Sequence, residues 1–329
     1  MKNNFETFDL EPYLLEAISE LDFKEPTDIQ TEVISNIQSK RDVVAQSKTG
    51  SGKTHAFLLP LINQLSKEAN NVQVLSTAPS RELAEQLYQA AIQLTQNAPW
   101  DINIARFIGG TDKAKQIESL ENSQPAVAIG TPGRLLDLIR SNHLKVHTAF
   151  AMVVDEADMT LDMGFIQEVD QIAATIPQSS QLLVFSATIP NKLKPFLQKY
   201  MNNPIQIEVE NKEVISDLID NWLISTKSKN RTEVIYQLVT MGNPYLVLIF
   251  ANTKERVEEL ATELADKGIE KIGVLHGGLD SRERRRVMRE IHNLEYQFVI
   301  ATDLADRGID IEGVSHVINA EVPQDLSYF

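Results

Sequence analysis

The chain contains no cysteine in its 329 residues. That absence excludes disulfides, thiolate nucleophiles and cysteine-ligated zinc, and it agrees with a reducing compartment. Long apolar runs are missing as well: none approaches the roughly 20 residues that span a membrane. The opening Met1-Lys2-Asn3-Asn4-Phe5-Glu6 lacks the basic-then-apolar order of a secretory leader. A soluble, cytoplasmic protein is the expectation. Nor is there an excess of positive charge, since 31 Lys and Arg stand against 46 Asp and Glu for a net charge of −15. A protein that holds nucleic acid by a general basic surface is thereby excluded, and any such site must be local. The one basic concentration is Arg282, Arg284, Arg285, Arg286 and Arg289, broken by Glu283 and Glu290, which reads equally as a solvated helix face. Six histidines, at 55, 143, 147, 276, 292 and 316, show no HExxH arrangement and read as surface or packing residues. Low-complexity segments and short repeats are also absent.

What is present is a 43% hydrophobic composition on a length that exceeds the usual single core, so two domains of about 150 to 200 residues are expected. Short β-branched runs alternate with amphipathic stretches, the pattern of parallel sheets covered by helices. Strands are expected at Asp42 to Ala45, Val72 to Ala78, Ile102 to Ile108, Ala126 to Gly130, Phe150 to Val154, Leu182 to Ser186 and Ile205 to Val209. A polar stretch over 210–218 suits a linker. Beyond it, strands are expected at Asn221 to Ser225, Tyr245 to Phe250, Lys271 to Leu275, Gln297 to Ala301 and His316 to Asn319, and helices over Lys254 to Lys267 and Arg282 to Ile291. The fold class is therefore α/β, with two tandem units over 1–209 and 219–329.

Gly52-Lys53-Thr54 follows the first strand, and the run Ala151-Met152-Val153-Val154 opens directly into Asp155-Glu156-Ala157-Asp158. A GKT triplet on a helix, or an acidic run on a solvated face, would each be ordinary alone. Each placed after a β-branched strand, they read as the two halves of a nucleoside triphosphatase. Backbone N–H groups of a glycine-rich loop bind phosphate, Lys53 supplies charge to the β- and γ-phosphates, and the Thr54 hydroxyl ligates Mg²⁺. Asp155 would hold the metal on its open side, and Glu156 would take a proton from the attacking water or orient it. In parallel α/β sheets ligands gather at the carboxyl ends of strands, where Lys53, Arg81, Thr131 to Arg134, Asp155, Ser186 to Thr188, Thr253, His276 and Thr302 all fall.

Further segments accompany these two. They are Phe23 to Gln30, Ser47 to Thr54, Pro79 to Ala84, Gly109-Gly110, Thr131-Pro132-Gly133-Arg134, Ser186-Ala187-Thr188 and Ala301 to Asp310. In this order, over nearly the whole chain, the sequence resembles the DEAD-box RNA helicases, and in manner the bacterial cold-shock members. The resemblance implies two RecA-like domains closing over ATP and single-stranded RNA, with an adenine-reading segment at the start of the first. ATP, Mg²⁺ and RNA are then the expected cofactors and partner, and a monomer is the expected state.

The resemblance also assigns residues. Gln30 reads the adenine edge, because its amide both accepts from N6 and donates to N7. Phe23 and Thr27 belong to that segment, and Ser47, Lys48, Thr49, Gly50, Ser51, Gly52, Lys53 and Thr54 form the phosphate loop. Phe5 stands where the family places an aromatic over the adenine ring, although an ordinary anchoring role remains open. Arg81, Gly110, Thr131, Gly133 and Arg134 are the implied RNA contacts of the first domain, and Thr253, Gly277, Arg284 and Thr302 those of the second. Thr131-Pro132-Gly133 is a helix start whose free N–H groups suit a phosphate, and Arg134 offers a bidentate fork. Caps or surface charges would explain each of them singly. Contacts confined to backbone carry no sequence information, so binding is expected to be sequence-independent. Ser186 and Thr188 are placed to bond the Asp158 carboxylate, linking nucleotide state to the RNA face, and Asp310 would reach the ATP ribose.

Departures from the family pattern are Asp22 for the usual Gly, Ser47 for Ala or Gly, Ser80 for Thr and Ser281 for Gln. The sequence also stops before a family His-Arg-x-Gly-Arg-x-x-Arg segment, so the second domain is expected to be incomplete. Arginine fingers in general contribute about 10³ to 10⁵ in rate, so slow hydrolysis is the expectation for the chain as given. The leading reading is an ATP-dependent RNA helicase that locally unwinds short duplexes. Two others stand beside it: an ATP-responsive RNA clamp with weak hydrolysis, and a DNA-directed translocase of the wider superfamily, against which the Gln30 segment and Asp158 argue.

Overall fold

The computed structural model describes residues 4–48, 50–67, 71–209, 219–226, 230–242, 244–302, 311 and 313–322. The chain divides into two compact units, Met1–Ser216 and Asp217–Phe329.

Unit 1 begins with a 3₁₀ turn, Phe5–Phe8, and two helices, α1 (Pro12–Glu20) and α2 (Asp28–Gln38). Strand β1 (Val43–Gln46) leads into α3 (Lys53–Asn63), β2 (Val74–Thr77) into α4 (Arg81–Thr95), and β3 (Ile104–Phe107) into α5 (Lys113–Asn122). Then come β4 (Val127–Gly130), α6 (Pro132–Arg140), β5 (Ala151–Val154), α7 (Ala157–Asp162), α8 (Ile166–Ala173), β6 (Gln181–Ser186), α9 (Lys194–Tyr200) and β7 (Ile205–Glu208). Among the described residues these strands form one seven-stranded sheet in the order β3-β4-β2-β5-β6-β1-β7. Every recorded pairing is parallel.

Alternation along the strands explains the two cores. Val43, Ala45, Ala151, Val153, Leu183 and Phe185 face one hydrophobic cluster, shared with α1 to α4. Val44, Met152, Val154, Leu182 and Val184 face the other, covered by α6, α8 and α9. Because side chains alternate from face to face of a strand, a sheet with helices on both sides needs strands apolar at every position, and β5 and β6 are buried throughout.

Unit 2 runs α10 (Arg231–Gly242), β8 (Val247–Ala251), α11 (Lys254–Asp266), β9 (Ile272–Leu275), α12 (Ser281–His292), β10 (Phe298–Thr302) and β11 (His316–Asn319). Among the described residues they give a four-stranded parallel sheet, β11-β8-β10-β9. The same alternation recurs, with Val247, Ile249, Phe298 and Ile300 on one face and Leu248, Val299 and Ala301 on the other.

The expected strand Asn221 to Ser225 does not form. Trp222 and Leu223 are 85% and 99% exposed, and none of the described strands pairs with this stretch. Its β-branched and aromatic composition is a propensity that only a neighbouring strand could convert into a ladder. The expected linker, 210–218, lies outside the described residues.

Candidate functional site

The chemistry-bearing residues of unit 1 sit at the carboxyl ends of its strands, as expected of a parallel sheet. The loop after β1 turns through Gly50 at φ 80° and Gly52 at φ 93°, both in the left-handed region. Gly52 is required for a second reason: a Cβ there would lie 2.6 Å from Gln30 Nε2 and 3.1 Å from Thr27 Oγ1. Gln30 Nε2 donates to the Gly52 carbonyl at 3.2 Å, and Gln30 Oε1 accepts from the Thr27 N–H at 3.0 Å. Thr27 caps α2 in a full capping box with Gln30. The helix cap thus fixes the amide orientation, leaving one N–H and one lone pair of Gln30 for a ligand edge.

Lys53 opens α3 with its side chain only 5% exposed. Its Nζ lies 2.9 Å from Glu156 Oε1 and donates to the Ser47 carbonyl at 3.2 Å. An ammonium has three N–H donors, so one remains for a phosphate oxygen. Glu156 adopts φ 45°, ψ 58° at the start of α7, a left-handed conformation rare for glutamate. Asp155 directly follows β5, and its Oδ1 accepts from the Glu156 N–H at 3.0 Å. Burial pushes the Asp155 carboxyl up to about 7, with the Glu156 charge adding and Lys53 opposing.

A buried carboxylate that resists ionisation is a site a divalent cation would satisfy. No group of three acidic, histidine or cysteine side chains able to hold a metal exists among the described residues. Magnesium does not need one, because it is commonly held by one or two carboxylates, waters and substrate phosphates. Asp155 and Thr54, the latter in the first turn of α3, fit that donor set.

Asp158 is tied to the end of β6. Its Oδ2 accepts from both the Thr188 N–H and the Thr188 hydroxyl at 2.9 Å. Ser186 differs from expectation: its hydroxyl accepts the Asp158 backbone N–H at 3.0 Å instead of bonding the carboxylate. The reason is that N–H groups in the first turn of α7 lack intrahelical partners, and Ser186 supplies one. The loop carries a further contact, Ser47 Oγ to Ser51 Oγ at 2.8 Å, between two positions whose hydroxyls the sequence shows but whose pairing only the turn reveals.

Other expected ligand residues are placed as follows. Phe23 packs edge-on against His55, with centroids 4.8 Å apart and planes at 85°. Asp22 before it adopts φ 55°, a conformation that suits the family glycine and that Asp tolerates. Phe5 is 3% exposed within the core, its ring against Phe8 at 6.4 Å. Lys48 lies in the loop. Thr49 and Asp310 lie outside the described residues.

The expected RNA residues of unit 1 also gather at strand ends. Arg81 starts α4 behind its Ser80 cap, and its guanidinium lies over Gly109, where a Cβ would meet Nη2 at 3.4 Å. Gly110 turns at φ 77°. Thr131 precedes α6, which has Pro132 in its first turn; Gly133 faces open space, and Arg134 Nη1 donates to Gln116. In unit 2, Thr253 caps α11 by accepting the Arg256 N–H at 3.2 Å, Gly277 follows β9, Thr302 ends β10, and Arg284 lies in the first turn of α12. Because β10 pairs with both β8 and β9, Thr253, Gly277 and Thr302 lie at the carboxyl ends of three adjacent strands.

Comparison with known proteins agrees with this arrangement. Residues 27–196 match the DEAD/DEAH box helicase family and residues 230–329 the helicase conserved C-terminal domain. The chain is 50% identical over 329 residues to the DEAD-box ATP-dependent RNA helicase CshB of Bacillus subtilis, covering all of this chain and 75% of that protein. It is 36% identical to the ATP-dependent RNA helicase CshA of Listeria monocytogenes over 98% of this chain and 61% of that one. Among solved structures, Saccharomyces cerevisiae Dbp5 bound to RNA and ADP BeF3 aligns with a TM-score of 0.85 at 30% identity, over 99% of this chain and 82% of that chain. On these matches, and on two parallel-sheet units of which the first carries the phosphate loop and the acidic run at its strand ends, the chain belongs to the DEAD-box ATP-dependent RNA helicases.

Proposed function

We propose that this chain binds Mg²⁺-ATP at the phosphate loop of unit 1, holds an RNA backbone along the strand ends of both units, and locally unwinds short duplexes as ATP is bound and hydrolysed. The observation that carries this reading is the Lys53 to Glu156 contact of 2.9 Å beside the buried Asp155. It supports a phosphate-binding cation after β1 acting together with a metal-binding carboxylate and a proton acceptor after β5, the two strands that flank β6. Bound Mg²⁺ would supply charge neutralisation at the transferring phosphoryl group.

The chain's own residues do the rest. Lys53 orients the β- and γ-phosphates, Asp155 and Thr54 hold the metal, and Glu156 accepts a proton from the attacking water as the γ-phosphoryl group leaves ADP. Gln30, fixed by Thr27, reads the adenine edge and touches the loop through Gly52, so base recognition and phosphate binding share one rigid unit. Thr188 grips the Asp158 carboxylate two residues beyond Glu156, which supports a link between the acidic run and the loop after β6. Arg81, Gly110, Thr131, Gly133 and Arg134, with Thr253, Gly277, Arg284 and Thr302, form the backbone track. The named relatives are bacterial RNA helicases, which supports a cytoplasmic place of action.

Glu156→Gln tests the central assignment. Loss of a positioned general base costs typically about 10² to 10⁴ in rate, so phosphate release should fall by that order while the Kd for a fluorescent ATP analogue stays near that of the wild type. A variant that turns over ATP normally would remove Glu156 from this role.

A further inference from the structure

We propose that His276 is a positioning residue of the RNA track, fixing the Gly277-Gly278 turn so that the Gly277 backbone stays open to an RNA phosphate. The inference rests on the reading of Gly277 as an RNA contact, and it assigns a task to a histidine that sequence alone marks as packing.

His276 follows β9 directly and is 4% exposed. A buried imidazole needs surroundings suited to both nitrogens, and here Nδ1 has a bonded partner and Nε2 a carboxylate nearby. The Gly278 N–H donates to His276 Nδ1 at 3.1 Å. A backbone N–H can only donate, so Nδ1 carries no proton and the neutral ring bears it on Nε2. Nε2 lies 3.2 Å from Glu258 Oε1, the carboxylate that faces its proton. The Leu279 N–H adds a further tie, donating to the His276 carbonyl at 3.3 Å. The turn is therefore held by a ring whose tautomer the Gly278 N–H sets, with a carboxylate of α11 beside its other nitrogen.

The two glycines differ in their surroundings. A Cβ on Gly278 would stand 3.0 Å from His276 Nδ1 and 3.1 Å from Cε1, so close approach to the ring explains that glycine. A Cβ on Gly277 would meet nothing within 4 Å. Packing requires only one of them, and the other faces open space beside two strand ends that carry Thr253 and Thr302. The aliphatic part of Lys254 lies over the same turn, 3.5 Å from the Gly278 Cβ position, placing a cation nearby.

Glu258 supplies the remaining argument. Its side chain is 65% exposed, yet it reaches the buried ring. An exposed carboxylate contributes little to stability by charge alone. What it does contribute is orientation, as second partners of functional histidines do when they fix the tautomer and ring plane.

The test uses the intact chain, a fluorescent single-stranded oligouridine RNA and a non-hydrolysable ATP analogue, with anisotropy as readout. His276→Ala should weaken RNA binding about tenfold, equivalent to one charge-assisted hydrogen bond. His276→Asn keeps an acceptor where Nδ1 stood and should restore most of the affinity. His276→Gln keeps a donor toward Glu258 but cannot accept from Gly278, and should not restore it. Affinity for the nucleotide analogue and the melting temperatures of Asn and Gln variants should match each other. Equal RNA binding by the Asn and Gln variants, or wild-type binding by all three, overturns the inference. Arg284→Ala and Thr302→Ala separate it from the reading beneath it. If these weaken RNA binding while the His276 variants do not, only the role of His276 falls; if none has an effect, the track in unit 2 falls and takes the role with it.

Discussion

At the residue scale, Gly52 joins the two halves of the nucleotide site. It sits at φ 93°, caps α3, and passes so close to Gln30 and Thr27 that no side chain fits. Gly52→Ala combines a left-handed alanine, at a cost of about 1 kcal/mol, with displacement of the Gln30 amide. We expect ATP affinity to fall by more than about tenfold, read by titration of a fluorescent analogue, and wild-type affinity would contradict the geometry. Residue identities of this kind were legible in the sequence, because phosphate loops and acidic strand ends restrict which side chains work. Directions of hydrogen bonds were not. Ser186 was legible as a hydroxyl near Asp158, but that it accepts a backbone N–H depends on where α7 begins. Phe5 was legible as an aromatic, while its burial follows from the cluster that the 3₁₀ turn shares with the apolar residues of α1.

At the element scale, β6 joins the two strands that bear the site. It lies between β5 and β1, the strands that lead into the acidic run and the phosphate loop, and all its residues are buried. Phe185 packs at 4.9 Å on Phe57 of α3, so the strand core also sets the helix that bears Lys53. Phe185→Ala should cost about 3 to 5 kcal/mol in chemical denaturation of unit 1. A loss below about 1 kcal/mol would mean that the site can collapse around the cavity, contrary to the close packing described. The inner strands of unit 1 were legible because strands buried on both faces read as continuous apolar runs, and the edge strands β3 and β7 because apolar and polar residues mix along them between helical stretches. Asn221 to Ser225 reads the same way, but no described strand pairs with it. A strand is a property of two segments, and sequence reports only one of them.

At the scale of the whole molecule, a net charge of −15 coexists with membership of an RNA-binding family. The reconciliation is that cations are few and local. If Arg81, Arg134 and Arg284 each neutralise one phosphate, the slope of log K against log salt should be about −2, from about −0.7 per phosphate on single strands. A steeper slope would reveal a basic surface that the composition denies. The two units each carry cores on both sides of their own sheet, so each positions its strand ends independently of the details of the other. The most direct test of the account is the rate of phosphate release from ATP by this chain with no nucleic acid, with single-stranded RNA, and with DNA of the same sequence. The account predicts that RNA raises the rate and DNA does not; equal or greater stimulation by DNA, or none by RNA, would contradict it.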